Sequence, residues 1–288
     1  MSFRTVAITG RAKLDYRMGY MVVRKETEKK IFLDDISVLI LENTTISLTA
    51  YLIKELINKK IKTIFCDELH NPIGEVVPLY NNTSCPAIIE EQIKWSAEKK
   101  AFLWKRIVEE KILNQAIVLE KAGENEKAQM LRGYAKNVKD GDASNREGHA
   151  AKVYFNALFG NGFSRGQDNY VNAALNYGYA LILSVFNRDI VAYGYLTQLG
   201  INHHNTYNYF NLSCDLMEPF RPLVDNAVKN SKFNDFDIDA KHEMLGLLSL
   251  EVKIDNQKHY LLNAISIYTK IVLNAMITED ETKFAELF

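Results

Sequence analysis

The chain has little of what would set its class at a glance. Its three cysteines, Cys66, Cys85 and Cys214, are odd in number and too widely spaced for a disulfide framework or a paired zinc site. They read as reduced thiols. Proline is scarce and glycine ordinary, so the composition is neither fibrous nor low-complexity. There is no glycine-rich phosphate loop, no serine elbow with its triad, and no His-Glu-x-x-His pair. The start, MSFRTVAITGR, lacks the apolar stretch of a secretory signal. The longest oily run, GYALILSVFNRDIVAYGY, is interrupted by Asn187, Arg188 and Asp189. A soluble, cytoplasmic protein with no membrane partner is expected. The formal net charge of −1 argues against a generally basic nucleic-acid binder. The charge is uneven, however: residues 1–30 and 121–165 are rich in Lys and Arg, and the stretch beyond Lys232 is acidic. A basic surface for an anionic partner is therefore allowed.

What is present is apolar mass: 47% of the 288 residues are hydrophobic, enough for one large domain or two modest ones. Up to about residue 80 the periods are short. TVAIT, GYMVVR, KIFL, SVLIL and IKTIFC are β-branched or aromatic runs separated by polar breaks, and so predict strands. One helix interrupts them, with Leu48, Leu52, Ile53, Leu56 and Ile57 on one face. DELHNPIGEVV predicts a strand connection turning at 71–74. Around VPLYNNTSCPA the pattern changes to a linker containing Asn81, Asn82 and Ser84, and beyond it helix dominates. The spacing predicts one long helix over 87–123, and further helices over 126–137, 145–159, 168–186, 189–199, 212–230, 239–250 and 258–276. The expected fold is α+β in two domains. Residues 1–77 form a small β-rich domain with one helix, 78–90 a linker, and 91–288 an all-helical domain.

Three polar stations stand out in the helical part. In DASNREGHAAKVYFNALF, Glu147 shares a stripe with Ala150, Ala151, Tyr154 and Leu158, so its carboxylate points where the helix is otherwise apolar. Ser144 and Glu147 also make an S-x-x-E capping box, which would need no function. In QLGINHHNTYNYFN, Gly200 is expected to end a helix, and His203 and His204 occupy a polar loop suited to metal binding or proton transfer. A solvated surface pair would look the same. Adjacent residues rarely reach one metal together, so at most one of the two is a ligand. In CDLMEPFRPLVD, Asp215, Glu218, Arg221 and Asp225 would share about a third of a regular helix at ~100° per residue. Pro219 and Pro222 require the helix to begin or kink there. Intrahelical ion pairing alone would account for such a face. Asp239 reads as an N-cap, and the neighbouring His242 and Glu243 point apart.

Taken together, NREGHAAKVYF, NYVNAALNYGYAL and LGINHHNTYNYFNLSCDLMEPFRPLVD resemble the catalytic subunit of the CRISPR spacer-acquisition integrase, a metal-dependent DNA endonuclease, in its type II form. The resemblance spans essentially the whole chain. It implies that Glu147, His203 and Glu218 are the catalytic metal ligands, with Asp215 and Arg221 in support and His204 as the alternative histidine. It implies Mg²⁺ or Mn²⁺ as cofactor, and an antiviral-defence reaction that joins the 3′-OH ends of a prespacer duplex into a CRISPR repeat. Lys139, Arg146, Lys152, Arg165 and Arg221 are then candidates for phosphate contacts on double-stranded DNA. Asn172, Asn176 and Tyr179 either brace the site or form a polar packing face. The implied assembly is a homodimer built through the β-domain. A dimer of a small second CRISPR-associated protein would bridge two such homodimers, and the type II effector nuclease and a ring-forming DNA-end-binding protein would also take part. The alternatives are a non-catalytic DNA-binding scaffold and a structural helical protein.

Overall fold

In the computed structural model, which describes residues 4–79, 85–254 and 257–278, a β-rich unit is followed by a mainly helical one. The first contains β1 (Arg4–Ile8), β2 (Lys13–Arg17), β3 (Tyr20–Arg24), β4 (Glu28–Phe32), β5 (Ile36–Leu41), β6 (Ser47–Leu48), α1 (Ala50–Asn58), β7 (Lys62–Cys66) and β8 (Pro72–Glu75). They make two four-stranded sheets, ordered β1-β5-β7-β8 and β4-β3-β2-β6. The keystone is β5. All six residues of ISVLIL are buried, and the strand runs parallel to both β1 and β7. A strand with no polar face belongs between two cores. Leu39 and Leu41 meet Leu14, Met21, Leu52 and Leu56 in the core between the sheets. Val38 and Ile40 turn the other way, into the core of the helices.

The helical unit contains α2 (Cys85–Ile93), α3 (Ala97–Lys121), α4 (Asn125–Ala135), α5 (Arg146–Phe159), α6 (Tyr170–Ala192), α7 (Asn211–Met217), α8 (Arg221–Asn230) and α9 (Ile238–Leu245). A hairpin of β9 (Glu251–Ile254) and β10 (Gln257–Tyr260) leads into α10 (Leu261–Ile277). Ile64 and Cys66 of the first sheet join the same apolar cluster as Trp104, Phe186, Phe220 and Tyr268. Polar contacts reinforce this seam. His242 Nε2 lies 2.8 Å from the buried Glu42 carboxylate, and Lys241 Nζ donates to Leu69 O and Asn71 Oδ1. No described helix is long and apolar enough to cross a membrane.

Several expectations need correction. The second unit is not all-helical: Val252 and Ile254 are buried while Glu251 and Lys253 are exposed, a period of two too short to compete with the helical runs around it. The expected helix over 239–250 therefore becomes α9 and a 3-10 turn at Gly246–Ser249, with Asp237 rather than Asp239 capping α9. The helix expected over 87–123 is two, because Ser96 Oγ accepts the Lys99 N–H and starts α3 afresh. Conversely, the helices expected over 168–186 and 189–199 are one, ending at Ala192; the polar break is absorbed by an Arg188–Asp189 ion pair. In the first unit, β2 and β6 were not anticipated. The turn expected at 71–74 falls earlier, where Asp67 Oδ1 accepts the N–H groups of Leu69 and Asn71. That leaves Pro72 in an edge strand, where its missing N–H costs no ladder bond. Helix α2 occupies part of the expected linker, and Asn81, Asn82 and Ser84 lie outside the described residues.

Two helical glycines make opposite predictions. A Cβ on Gly178 would lie 2.4 Å from Val224 Cγ1 and 2.8 Å from Met244 Cε, whereas one on Gly133 meets nothing within 4 Å. Gly133→Ala should raise the melting temperature, since it gains ~1 kcal/mol of helix propensity. Gly178→Ala should lower it, because overpacking at ~1–3 kcal/mol exceeds that gain. Differential scanning calorimetry of the two variants checks the signs.

Candidate functional site

The site assembles where α3, the start of α5, the 193–210 loop and the α7–α8 junction meet. At the start of α5, Asn145 sits in left-handed backbone at φ 50° and its side chain accepts the Gly148 N–H. Asp142 accepts the N–H groups of Arg146 (2.7 Å) and Glu147 (3.0 Å). These two residues cap the helix; the expected Ser144–Glu147 capping box is absent, and Ser144 Oγ is buried without a partner. Glu147 is thereby released to turn inward, where its Oε1 accepts from Lys111 Nζ at 2.6 Å.

The CDLMEPFRPLVD stretch breaks as its prolines require: α7 stops at Met217, Glu218–Phe220 is a 3-10 turn, and α8 starts at Arg221. Asn114 Nδ2 donates to Pro219 O from the buried face of α3, pinning the turn. Glu218 is almost wholly buried. Its Oε2 accepts from Lys111 Nζ at 2.5 Å and its Oε1 from Arg221 Nε at 2.8 Å. Burial alone would push the Glu218 carboxyl up, but the adjacent charges of Arg221 and Lys111 outweigh it and hold it at about 2. Burial likewise disfavours the Lys111 ammonium, yet Glu218 and Glu147 keep it above the ordinary lysine value.

Asp215, with no exposed surface, organises the histidine loop. Its Oδ2 accepts the N–H groups of Ile201 (2.6 Å) and Asn202 (3.1 Å). Its Oδ1 accepts the His203 N–H at 3.0 Å and lies 2.6 Å from His203 Nδ1. Gly200 does not end a helix; it lets this loop close, since a Cβ there would stand 2.3 Å from His203 O and 2.7 Å from Asp215 Oδ2. The doublet is thus divided. His203 turns inward with Trp104 edge-on to its ring, and the Asp215 hydrogen bond raises its pKa, helped by the charges of Glu218 and Glu147. His204 faces solvent, its Nδ1 beside Asn202 O. A groove of about 490 Å³, lined by Lys100, His203, His204 and Tyr209 among others, opens beside the loop.

Asp225, read only as a fourth member of the acidic face, has a definite place. It is buried and accepts a hydrogen bond from Tyr179 OH. Two guanidiniums lie over the Tyr179 ring, Arg221 at 4.6 Å and Arg165 at 5.3 Å from its centroid. Arg165 also donates to Asn172 Oδ1 and Asn176 Oδ1. Asn172, Asn176 and Tyr179 therefore act as a brace for two arginines. Of the other basic candidates, Arg146 lies over the Tyr134 ring, Lys139 is exposed, and Lys152 lines a groove with Lys127.

Lys111 was missed by sequence reasoning. The signal was its position on the apolar stripe of α3, in phase with Trp104, Ile107, Val108 and Val118, where a lysine needs a buried counter-charge. It also changes the nature of the site. Among the described residues no three His, Cys, Asp or Glu side chains form a group that could hold a metal ion, and an ammonium bridges the two carboxylates instead.

Fold and site together define a two-unit α+β protein whose helical part encloses a charged centre of acidic, basic and imidazole groups. The chain belongs to the family described as CRISPR associated protein Cas1, which residues 6–245 match. Over 229 residues it is 38% identical to the CRISPR-associated endonuclease Cas1 of Neisseria meningitidis serogroup C (strain 8013), covering 79% of this chain and 75% of that protein. The fold is shared at 17% identity with a casposase bound to integration product (TM-score 0.77, 98% of this chain and 92% of that one). It is shared equally with a CAS1 protein from Thermotoga maritima (TM-score 0.77, 17% identity, 95% and 97%).

Two substitutions test the framework. Asp215→Ala strands the buried amide of Ile201 at ~1–3 kcal/mol and takes the acceptor from the part-buried amides of Asn202 and His203, so the melting temperature should fall by about 4 °C or more. Asp225 is pushed up to about 6 by burial, against an ordinary 3.8. A raised carboxyl stabilises the fold least when ionised, so the cost appears as pH rises through that window. Asp225→Asn removes this cost. Its unfolding free energy relative to wild type should improve between pH 4 and pH 7.5, by on the order of 2 kcal/mol in chemical denaturation.

Proposed function

We propose that this protein is a metal-dependent DNA endonuclease and integrase of CRISPR adaptation, joining the 3′-OH ends of prespacer DNA into the CRISPR repeat. The observation that supports the reading is that Lys111 joins Glu147 and Glu218, and that the charges of both reach the Asp215-held His203. Family membership supports the activity. The casposase of like fold, described as bound to integration product, supports DNA as substrate.

The donor types fit a divalent ion, although Lys111 now stands between the two carboxylates that would bind it. Two carboxylates and an imidazole are a hard, mixed O/N set suited to Mg²⁺ or Mn²⁺. His203 Nδ1 is committed to Asp215, which leaves Nε2 as the free nitrogen, and a carboxylate behind a histidine is the usual support for a metal ligand. Glu147, His203 and Glu218 would hold the ion, which when bound would polarise the scissile phosphate and offset charge on the attacking and leaving oxygens. Arg221, fixed by Glu218 and the Tyr179 ring, would contact a phosphate, and Arg165 shares that ring. In the joining step a 3′-OH oxygen bonds to phosphorus, the repeat's own P–O3′ bond breaks, and the released oxygen takes a proton. One ester replaces another, so no nucleotide energy is consumed. The same reading extends to assembly: a homodimer through the β-rich unit, bridged in pairs by a dimer of a small second CRISPR-associated protein. The type II effector nuclease and a ring-forming DNA-end-binding protein would be its further partners.

A second reading is favoured by one observation, the ammonium of Lys111 between the carboxylates. On this reading the chain is a DNA-binding scaffold without catalysis. Glu218→Ala separates the two. The integrase reading expects loss of Mn²⁺-dependent joining by at least ~100-fold, with DNA affinity retained in fluorescence anisotropy. Undiminished joining would sink it, and absence of any cutting or joining by the wild type would favour the scaffold.

A further inference from the structure

Lys111 Nζ lies 2.6 Å from Glu147 Oε1 and 2.5 Å from Glu218 Oε2, on a side chain only 10% exposed. Glu218 shares its second oxygen with Arg221. Two acids are thus already matched by two fixed cations, while Asp215 is taken up by the histidine loop. A divalent ion on the same carboxylates would meet an ammonium at contact distance, and like charges cannot share that space at low dielectric. Burial of a bare ammonium in the core is too costly, so its way out is the side where Glu147 and Arg221 are 28% and 26% exposed, and where a polyanion would receive it.

We infer that Lys111 is an internal counter-cation that competes with the divalent metal for Glu147 and Glu218, and that a DNA phosphate, by drawing the ammonium away, couples metal binding to substrate binding. The inference rests on the metal-ligand reading above. Lys111 is a positioning residue: it holds the acids together without metal and sets when they become available.

The test measures Mn²⁺ affinity by electron paramagnetic resonance and calorimetry, with and without a short DNA duplex, on wild type, Lys111→Gln, Lys111→Arg and Glu218→Ala. The wild type should bind Mn²⁺ weakly alone and at least ~10-fold more tightly with DNA. Lys111→Gln should bind at least ~10-fold more tightly than wild type without DNA and gain little from it, because the competing charge is gone. Lys111→Arg keeps the charge and should stay within ~3-fold of wild type. Thermal melting adds a second readout. Metal-free Lys111→Gln should melt below wild type and recover more on adding Mn²⁺, since its two acids then face each other unpaired. Lys111→Gln affinity equal to or weaker than wild type would overturn the inference. Failure of every protein to bind Mn²⁺, or binding untouched by Glu218→Ala, would instead bring down the metal reading, and this inference with it.

Discussion

Four hydrogen bonds converge on the carboxylate of Asp215, which has no exposed surface of its own. A buried acid is tolerable only when its lone pairs are filled, and here three backbone amides and an imidazole fill them. The requirement shapes everything nearby. It forces the chain at 200–203 to wrap the acid so closely that only glycine fits at position 200. It sets His203 apart from His204 by committing its Nδ1. It also ties a loop that follows α6 to α7, bringing two stretches distant in sequence from Glu147 to the same place.

Around this anchor the centre is a balance of charge. Lys111 lies between Glu147 and Glu218, Arg221 between Glu218 and Tyr179, and Asp225 behind Tyr179. Each buried charge would be costly alone; in this chain every one has an opposite charge or a hydrogen-bond donor at contact distance. The sequence pattern alone does not distinguish this from an ordinary ion-paired helix face. The difference lies in burial: an exposed set of pairs would contribute little and constrain nothing, whereas Lys111, Glu218 and Asp225 are buried.

The resemblance to an integrase already joined Glu147, His203 and Glu218, but the residues alone left each with a plain alternative. The capping box at Ser144 and Glu147 was the strongest of these, and Asp142 removed it by taking the amides of Arg146 and Glu147 first. Nothing in local sequence reveals that Asp142 reaches there. The hairpin before α10 was hidden for a similar reason: four residues of alternation are too few to outweigh neighbouring helical runs. Lys111 was hidden among the many charges of α3, and only its phase on the helix marks it.

Hydrophobic period and the proline and glycine breaks thus determined the larger matters from sequence alone: a β-rich first unit, a mainly helical second one, and a break in the helix at Pro219 and Pro222. These are local properties, set by backbone geometry and by which face of an element must be buried. Tertiary structure alone decided that Asp215 binds the 201–203 amides and His203 rather than His204, and that a lysine stands between the two glutamates. Those outcomes depend on distances between segments far apart in the chain, and on the cost of leaving any one charge buried without its partner.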